Sequence, residues 1–271
     1  SDLLRSILGG VTSEKIGLPS DQVATYLAKG YARNDRVGNS YLEQEYESVL
    51  SGTKSQWETI TDQSGAVVAR EESYEGKAGD NLVLTIDIDF QKEIEQIATD
   101  FLNSNVDSYN DRIYIVASDP NTGEILGMTG KQRSTSNEIV DDALGVINSS
   151  YGMGSAVKGA MVLTGYMSGV ISADNNVLVD EPLQFQGSNP KKSVFNPTIG
   201  NQVAINDIEA LARSSNVYMI KLAMLMGGQS TYESGGTLNI SPDLIDELRS
   251  YFAQFGLGVK TGIDLPNEGS G

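Results

Sequence analysis

Gly152-Met153-Gly154-Ser155-Ala156-Val157-Lys158 opens an apolar run that continues to about residue 169, and Ser214-Ser215-Asn216 follows it further along the chain. A run that is apolar nearly all round reads as a helix buried in the middle of a domain, with Ser155 and Lys158 in its first turn. At i and i+3 the two side chains share a helix face, so the lysine amine lies one turn from the serine hydroxyl, close enough for direct proton transfer. Apolar surroundings and the positive end of the helix dipole both oppose a protonated amine there, and a neutral amine can take the hydroxyl proton. The spacing thus offers a serine nucleophile activated by a lysine base. Ser214 is placed to relay a proton, and Asn216 to hold a backbone amide of the substrate.

Each motif also has a plain reading. Ser-x-x-Lys alone is a common polar helix start with a surface lysine, and Ser-x-Asn alone is an ordinary turn between helices. Composition favours the chemical reading by exclusion. The 271 residues contain no His and no Cys, which removes Ser-His-Asp and Cys-His nucleophiles and any zinc site built from imidazole or thiolate. No metal and no organic cofactor is implied.

The 19 Lys and Arg against 36 Asp and Glu give a net charge of −17, which repels nucleic acid and anionic lipid. The longest apolar-leaning run, residues 160–171, is far short of the roughly 20 residues that a bilayer span needs. Residues 1–6 lack the basic start and apolar stretch of a signal peptide, so either the protein is soluble or its anchor lies outside this sequence. Absence of Cys leaves the compartment open.

Two unequal domains are expected, with the boundary near residues 76–79, where the composition changes. Residues 1–78 are polar and irregular, with a helix over residues 40–50 and a hairpin turning at Asp62-Gln63-Ser64-Gly65. Residues 81–87 alternate as a strand, and residues 90–102 have helical period through Ile94, Ile97, Ala98 and Phe101. Residues 112–118 and 124–130 flank Asp119-Pro120-Asn121-Thr122-Gly123 as a second hairpin. Asn206 and Glu209 form a capping-box pattern at the start of a helix running to Arg213, and residues 217–226 read as another, so Ser214-Ser215-Asn216 falls in the junction between them. Residues 227–236 are Gly/Ser-rich and read as a surface loop.

With these residues in view the chain resembles the class B penicillin-binding proteins that cross-link peptidoglycan, and most the elongation-type 2b branch of Gram-positive cocci. The resemblance covers nearly the whole chain. Residues 36–46, Arg-Val-Gly-Asn-Ser-Tyr-Leu-Glu-Gln-Glu-Tyr, are similar to the family's pedestal signature; residues 79–87 are similar to the strand that enters the transpeptidase domain; Phe255-Gly256-Leu257-Gly258, with Thr261 to Pro266 and Glu268, matches another family stretch. Met153 departs from the Pro that many relatives carry there, a change confined to the approach to the helix.

The family's third motif, Lys-Ser/Thr-Gly on a strand edging the site, has a tempting match in Lys260-Thr261-Gly262. That match reads as a decoy, because it runs into Asp264-Leu265-Pro266-Asn267-Glu268 and not into a continuous strand. The true motif is expected beyond residue 271. The resemblance therefore implies an α+β fold: a partial pedestal/dimerisation-type domain at residues 1–78, then the N-terminal and central part of a transpeptidase domain at residues 79–271. Its antiparallel sheet, flanked by helices, is expected to be incomplete, with one oxyanion donor missing and an exposed sheet edge.

It further implies Ser155, Lys158, Ser214 and Asn216 as the catalytic set, with peptidoglycan stem peptides as substrates and β-lactam antibiotics acylating Ser155. Cell-wall elongation proteins are implied as partners through the pedestal, and the outer face of the cytoplasmic membrane as location. Two other readings are weighed: a β-lactamase or β-lactam sensor of the same fold, and a non-catalytic interaction fragment. The pedestal-like residues and the lack of a deacylating glutamate motif after Asn216 count against the first, and intact Ser155 and Lys158 count against the second.

Overall fold

A computed structural model describes residues 3–106 and 109–270. The chain forms two compact units, one built on residues 3–149 together with 262–269, the other on residues 150–261.

The first unit begins with four short helices, α1 (Arg5–Leu8), α2 (Val23–Ala28), α3 (Tyr41–Glu45) and α4 (Glu47–Leu50). The helix expected over residues 40–50 is thus two, broken at Tyr46, whose backbone leaves helical values at φ −100° and ψ 16°. The break lets Tyr46 pack on the core around Leu42, while the Glu47 carboxylate accepts the Gly38 N–H at 2.6 Å and the Tyr31 hydroxyl at 3.1 Å. The first hairpin forms as expected, β1 (Gln56–Thr61) against β2 (Val67–Tyr74), and every residue of both strands is exposed.

Residues 81–87 keep the expected alternation, with Leu82, Leu84 and Ile86 turned to the core, yet they form no strand. They are tied alongside the next sheet by Asp87 N–H to Leu126 O (2.9 Å) and by the Thr85 hydroxyl to Ile125 O (2.6 Å), which is too little to make a ladder.

Asp87 then caps α5 (Ile88–Ser104) by accepting the Asp89 and Phe90 N–H groups, both at 3.0 Å. This helix lies on a three-stranded antiparallel sheet in the order β3 (Arg112–Ser118), β4 (Ile125–Arg133), β5 (Ile139–Asp141). Gln91 pins it: its Oε1 accepts the Met128 N–H at 3.0 Å and its Nε2 donates to Met128 O at 2.8 Å. The β3–β4 turn matches its sequence signal. Asp119 O accepts the Gly123 N–H at 2.8 Å, and Gly123 takes φ 80°, which glycine adopts without steric cost. A short α6 (Gly145–Asn148) follows, and Leu4, Ile7, Leu42, Met128, Ala143, Ile147 and Leu265 close the core.

The second unit holds α7 (Lys158–Met167), the ribbon β6 (Leu178–Asp180) with β7 (Val203–Ile205), α8 (Asp207–Ala212), α9 (Asn216–Met226) and α10 (Leu244–Ala253). Helix α7 packs against α9 and α10 in a cluster of Met161, Val162, Tyr218 and Leu222, with Leu248 and Phe252 of α10 against it. It is not buried all round, since Leu163 and Met167 open to solvent. It also starts later than expected: Gly154–Val157 is a 3-10 turn and α begins at Lys158. The expected α+β class stands, with small antiparallel sheets among helices.

Candidate active site

Ser155 sits in the 3-10 turn, entered through Gly154 in the left-handed region at φ 56°. Ser155 and Lys158, the residue that ends the turn, are i and i+3, positions that eclipse in 3-10 geometry. The turn's first N–H groups, that of Ser155 among them, have no partner within the turn.

The other half of the site is made by the end of α8 and the start of α9. The capping box expected at Asn206 and Glu209 forms. At the far end Ser215 N–H reaches Ala210 O at 2.8 Å and Ser214 N–H reaches Leu211 O at 3.0 Å, with Ser214 left-handed at φ 51°. This is a Schellman ending whose left-handed position is usually glycine. With serine there instead, the turn swings both the carbonyl and the hydroxyl of Ser214 onto the lysine. Ser215 caps α9 by accepting the Tyr218 N–H at 2.9 Å, and Asn216 is the first residue of the helix, not part of a free junction.

Lys158 is 9% exposed and donates to three oxygens: Ser214 O at 2.7 Å, Asn216 Oδ1 at 2.7 Å and Ser214 Oγ at 2.9 Å. Ser214 Oγ in turn lies 3.1 Å from Ser155 Oγ and hydrogen-bonds to it. Ser155 is thus joined to Lys158 through Ser214, whereas the spacing alone suggests direct contact. Burial lowers the pKa of Lys158 from the ordinary lysine value of 10.5, because its charged form loses hydration.

A carbonyl and an amide oxygen only accept, so two Lys158 N–H bonds are committed to Ser214 O and Asn216 Oδ1 in either charge state. The third position faces Ser214 Oγ. It is an N–H in the ammonium and a lone pair in the free amine, so moving one proton through Ser214 changes no other bond. Asn216 Nδ2 donates to Lys192 O at 3.1 Å, and its second N–H is left to meet a carbonyl.

All four residues singled out in the sequence come together. Lys260-Thr261-Gly262 lies in no strand. Among the described residues no cluster of acidic side chains could hold a metal ion, and no helix is long and apolar enough to cross a membrane. Ser193 and Lys192, which contact the Ser-x-Asn residues, carry no sequence signal. Ser215 carries one, as a serine standing before an apolar helical run.

A family model described as the penicillin binding protein transpeptidase domain matches residues 113–271, and one described as the penicillin-binding protein dimerisation domain matches residues 1–84. Penicillin-binding protein 2A of Bacillus subtilis is 48% identical over 100% of this chain and 38% of its own length. The solved penicillin-binding protein 2B of Streptococcus pneumoniae strain 5204 superposes with a TM-score of 0.87 at 39% identity, over 99% of this chain and 45% of that one. A penicillin-binding protein PBP2 of Helicobacter pylori, solved in complex with MreC, shares the fold at 20% identity and TM-score 0.69, over 99% of this chain and 47% of that one. The chain thus spans less than half the length of each. It belongs to the class B penicillin-binding proteins, the family in which a dimerisation module precedes a transpeptidase domain.

Proposed function

We propose that the full-length protein is a peptidoglycan D,D-transpeptidase of the elongation type, with Ser155 as its nucleophile, Lys158 as its base, Ser214 as the relay and Asn216 holding the donor peptide. The observation that carries this reading is the hydrogen-bonded line from Ser155 through Ser214 to a desolvated Lys158.

Ser155 Oγ attacks the carbonyl carbon of the penultimate D-alanine while its proton passes to Ser214 Oγ, and the Ser214 proton passes to Lys158 Nζ. The carbonyl oxygen becomes an oxyanion against the Ser155 N–H. Collapse breaks the peptide bond, and the departing D-alanine amine takes the proton back along the same line. An amine of a neighbouring stem peptide then attacks the acyl-enzyme carbonyl, giving up a proton through Ser214 to Lys158; the new amide bond forms, the ester bond to Ser155 breaks, and the proton returns along the same line to Ser155 Oγ. A β-lactam enters by the same first step. Its amide nitrogen stays tethered after ring opening, so the leaving group does not depart and the acyl-enzyme persists.

Residues 1–78 serve in this reading as a pedestal for cell-wall elongation partners, and residues 79–271 as the N-terminal and central part of the transpeptidase domain. The work takes place on the outer face of the cytoplasmic membrane. A protein of the same fold, the Helicobacter pylori PBP2, was solved in complex with MreC, which favours a partner protein without placing it on this chain.

The test is release of D-alanine from a stem peptide ending in D-Ala-D-Ala, with and without an acceptor amine. Release coupled to a cross-linked product is expected. Rapid hydrolysis of penicillin with no cross-linked product would contradict a transferase.

A further inference from the structure

Beneath the Ser-x-Asn residues lies a polar cluster that the proposed chemistry does not use. Asp180, at the end of β6, is 1% exposed, and Ser193, Ser215 and Asn196 around it are 0%, 0% and 1% exposed. Asp180 Oδ2 accepts the hydroxyls of Ser193 and Ser215, both at 2.5 Å, and its Oδ1 accepts Asn196 Nδ2 at 3.0 Å.

A serine hydroxyl has one proton. With that proton committed to the carboxylate, the oxygen can only accept, and here the lone pairs point at the start of α9. Ser193 Oγ accepts the N–H groups of Asn216 (3.0 Å) and Val217 (3.3 Å), and Ser215 Oγ accepts that of Tyr218 (2.9 Å). These are the first three amides of α9, donors that a helix leaves without internal partners. The negative charge also lies under the helix N-terminus, where the dipole favours it.

We propose that Asp180 is the positioning residue of this site: by orienting the Ser193 and Ser215 hydroxyls it fixes the first turn of α9, and with it Ser214 and Asn216 against Lys158. The inference rests on the transpeptidase reading above for the roles of Ser214 and Asn216. Asp180 touches neither Ser155 nor Lys158 and acts only through the two serines.

An isosteric amide cannot take its place. The Asn196 amide is oriented with its NH2 toward Asp180, because Asn196 Nδ2 also donates to Asp180 O at 2.9 Å and Asn196 Oδ1 accepts Asn201 Nδ2 at 2.7 Å. In Asp180→Asn the new NH2 must face either Asn196, where two donors meet, or the serines, where both hydroxyl protons lose their acceptor.

The test uses the full-length protein as wild type, Asp180→Asn and Ser193→Ala, with a fluorescent penicillin as probe. Three readouts are taken: the acylation rate constant at saturation, the dissociation constant of the complex before acylation, and amide hydrogen exchange at residues 216–218. Asp180→Asn is expected to slow acylation by about tenfold or more while the dissociation constant stays within about threefold, since positioning acts on the reacting geometry more than on binding. Exchange at residues 216–218 is expected to rise by about tenfold or more, as local opening of the helix start becomes easier. If Asp180→Asn does not fold, Ser193→Ala carries the test, with the same directions. A folded variant that is acylated at the wild-type rate, with native protection at residues 216–218, overturns the proposal, as does a fall in thermal stability alone. A wild-type protein that takes up no penicillin contradicts the transpeptidase reading instead, and amide exchange then decides whether Asp180 orders the turn.

Discussion

Ser214 combines a strained backbone with the hydroxyl that the proposed chemistry uses, and substitution separates the two. At φ 51° a serine costs about 1 kcal/mol relative to glycine. Ser214→Gly relieves that strain but deletes the hydroxyl's bonds to Lys158 and Ser155, so it is expected to move the denaturant midpoint by less than about 1 kcal/mol of stability while slowing penicillin acylation by about a hundredfold. A variant that acylates normally would show that Ser214 is not the relay.

Lys158 makes a pH prediction whose sign follows from burial. The reactive form is the free amine, and the folded pKa lies below 10.5, so acylation is expected to rise with pH through a single ionisation below 10.5. The same shift makes the ammonium the costly form in the folded state. Between the lowered value and 10.5 the unfolded chain binds more proton than the folded one, so stability increases with pH in that window, and Lys158→Met is expected to remove that rise. The four site residues were legible in sequence because their types and spacing are unusual together. Their wiring was not, since no spacing rule says that a left-handed Ser214 stands between Ser155 and Lys158.

At the scale of elements, local signals survive where one residue decides the backbone. The Asn206–Glu209 capping box and the Gly123 turn formed as read, because each needs only neighbours in sequence. Tertiary contacts decided the rest. The periodicity of α5 picks out Ile97 and Phe101 for the core, yet these are 57% and 45% exposed, while the polar Gln91 is fully buried. A count of apolar residues cannot see a glutamine that serves the Met128 backbone. Gln91→Leu is expected to cost about 2 kcal/mol or more in denaturant unfolding, because it strands both the N–H and the C=O of Met128. Residues 81–87 alternated correctly but found no ladder, and the 3-10 start of α7 has no sequence signature that distinguishes it from α.

For the whole molecule, two features of the first unit and one of the second set expectations. The sole tryptophan, Trp57, is on β1 and 59% exposed, so intrinsic emission from this chain should resemble that of tryptophan in water, yield to acrylamide quenching and change little on unfolding. The β1–β2 hairpin contributes no buried residue, so shortening it is expected to leave the second unit's chemistry intact. In that second unit, whose residues fall within the matched transpeptidase domain, the four site residues meet. The most direct check on the central claim is intact mass after incubation of the full-length protein with a penicillin, alongside Ser155→Ala and Lys260→Ala. The account predicts one adduct of the whole antibiotic per wild-type molecule, mapped to Ser155, retained in Lys260→Ala and absent from Ser155→Ala. An adduct that persists in Ser155→Ala would contradict it.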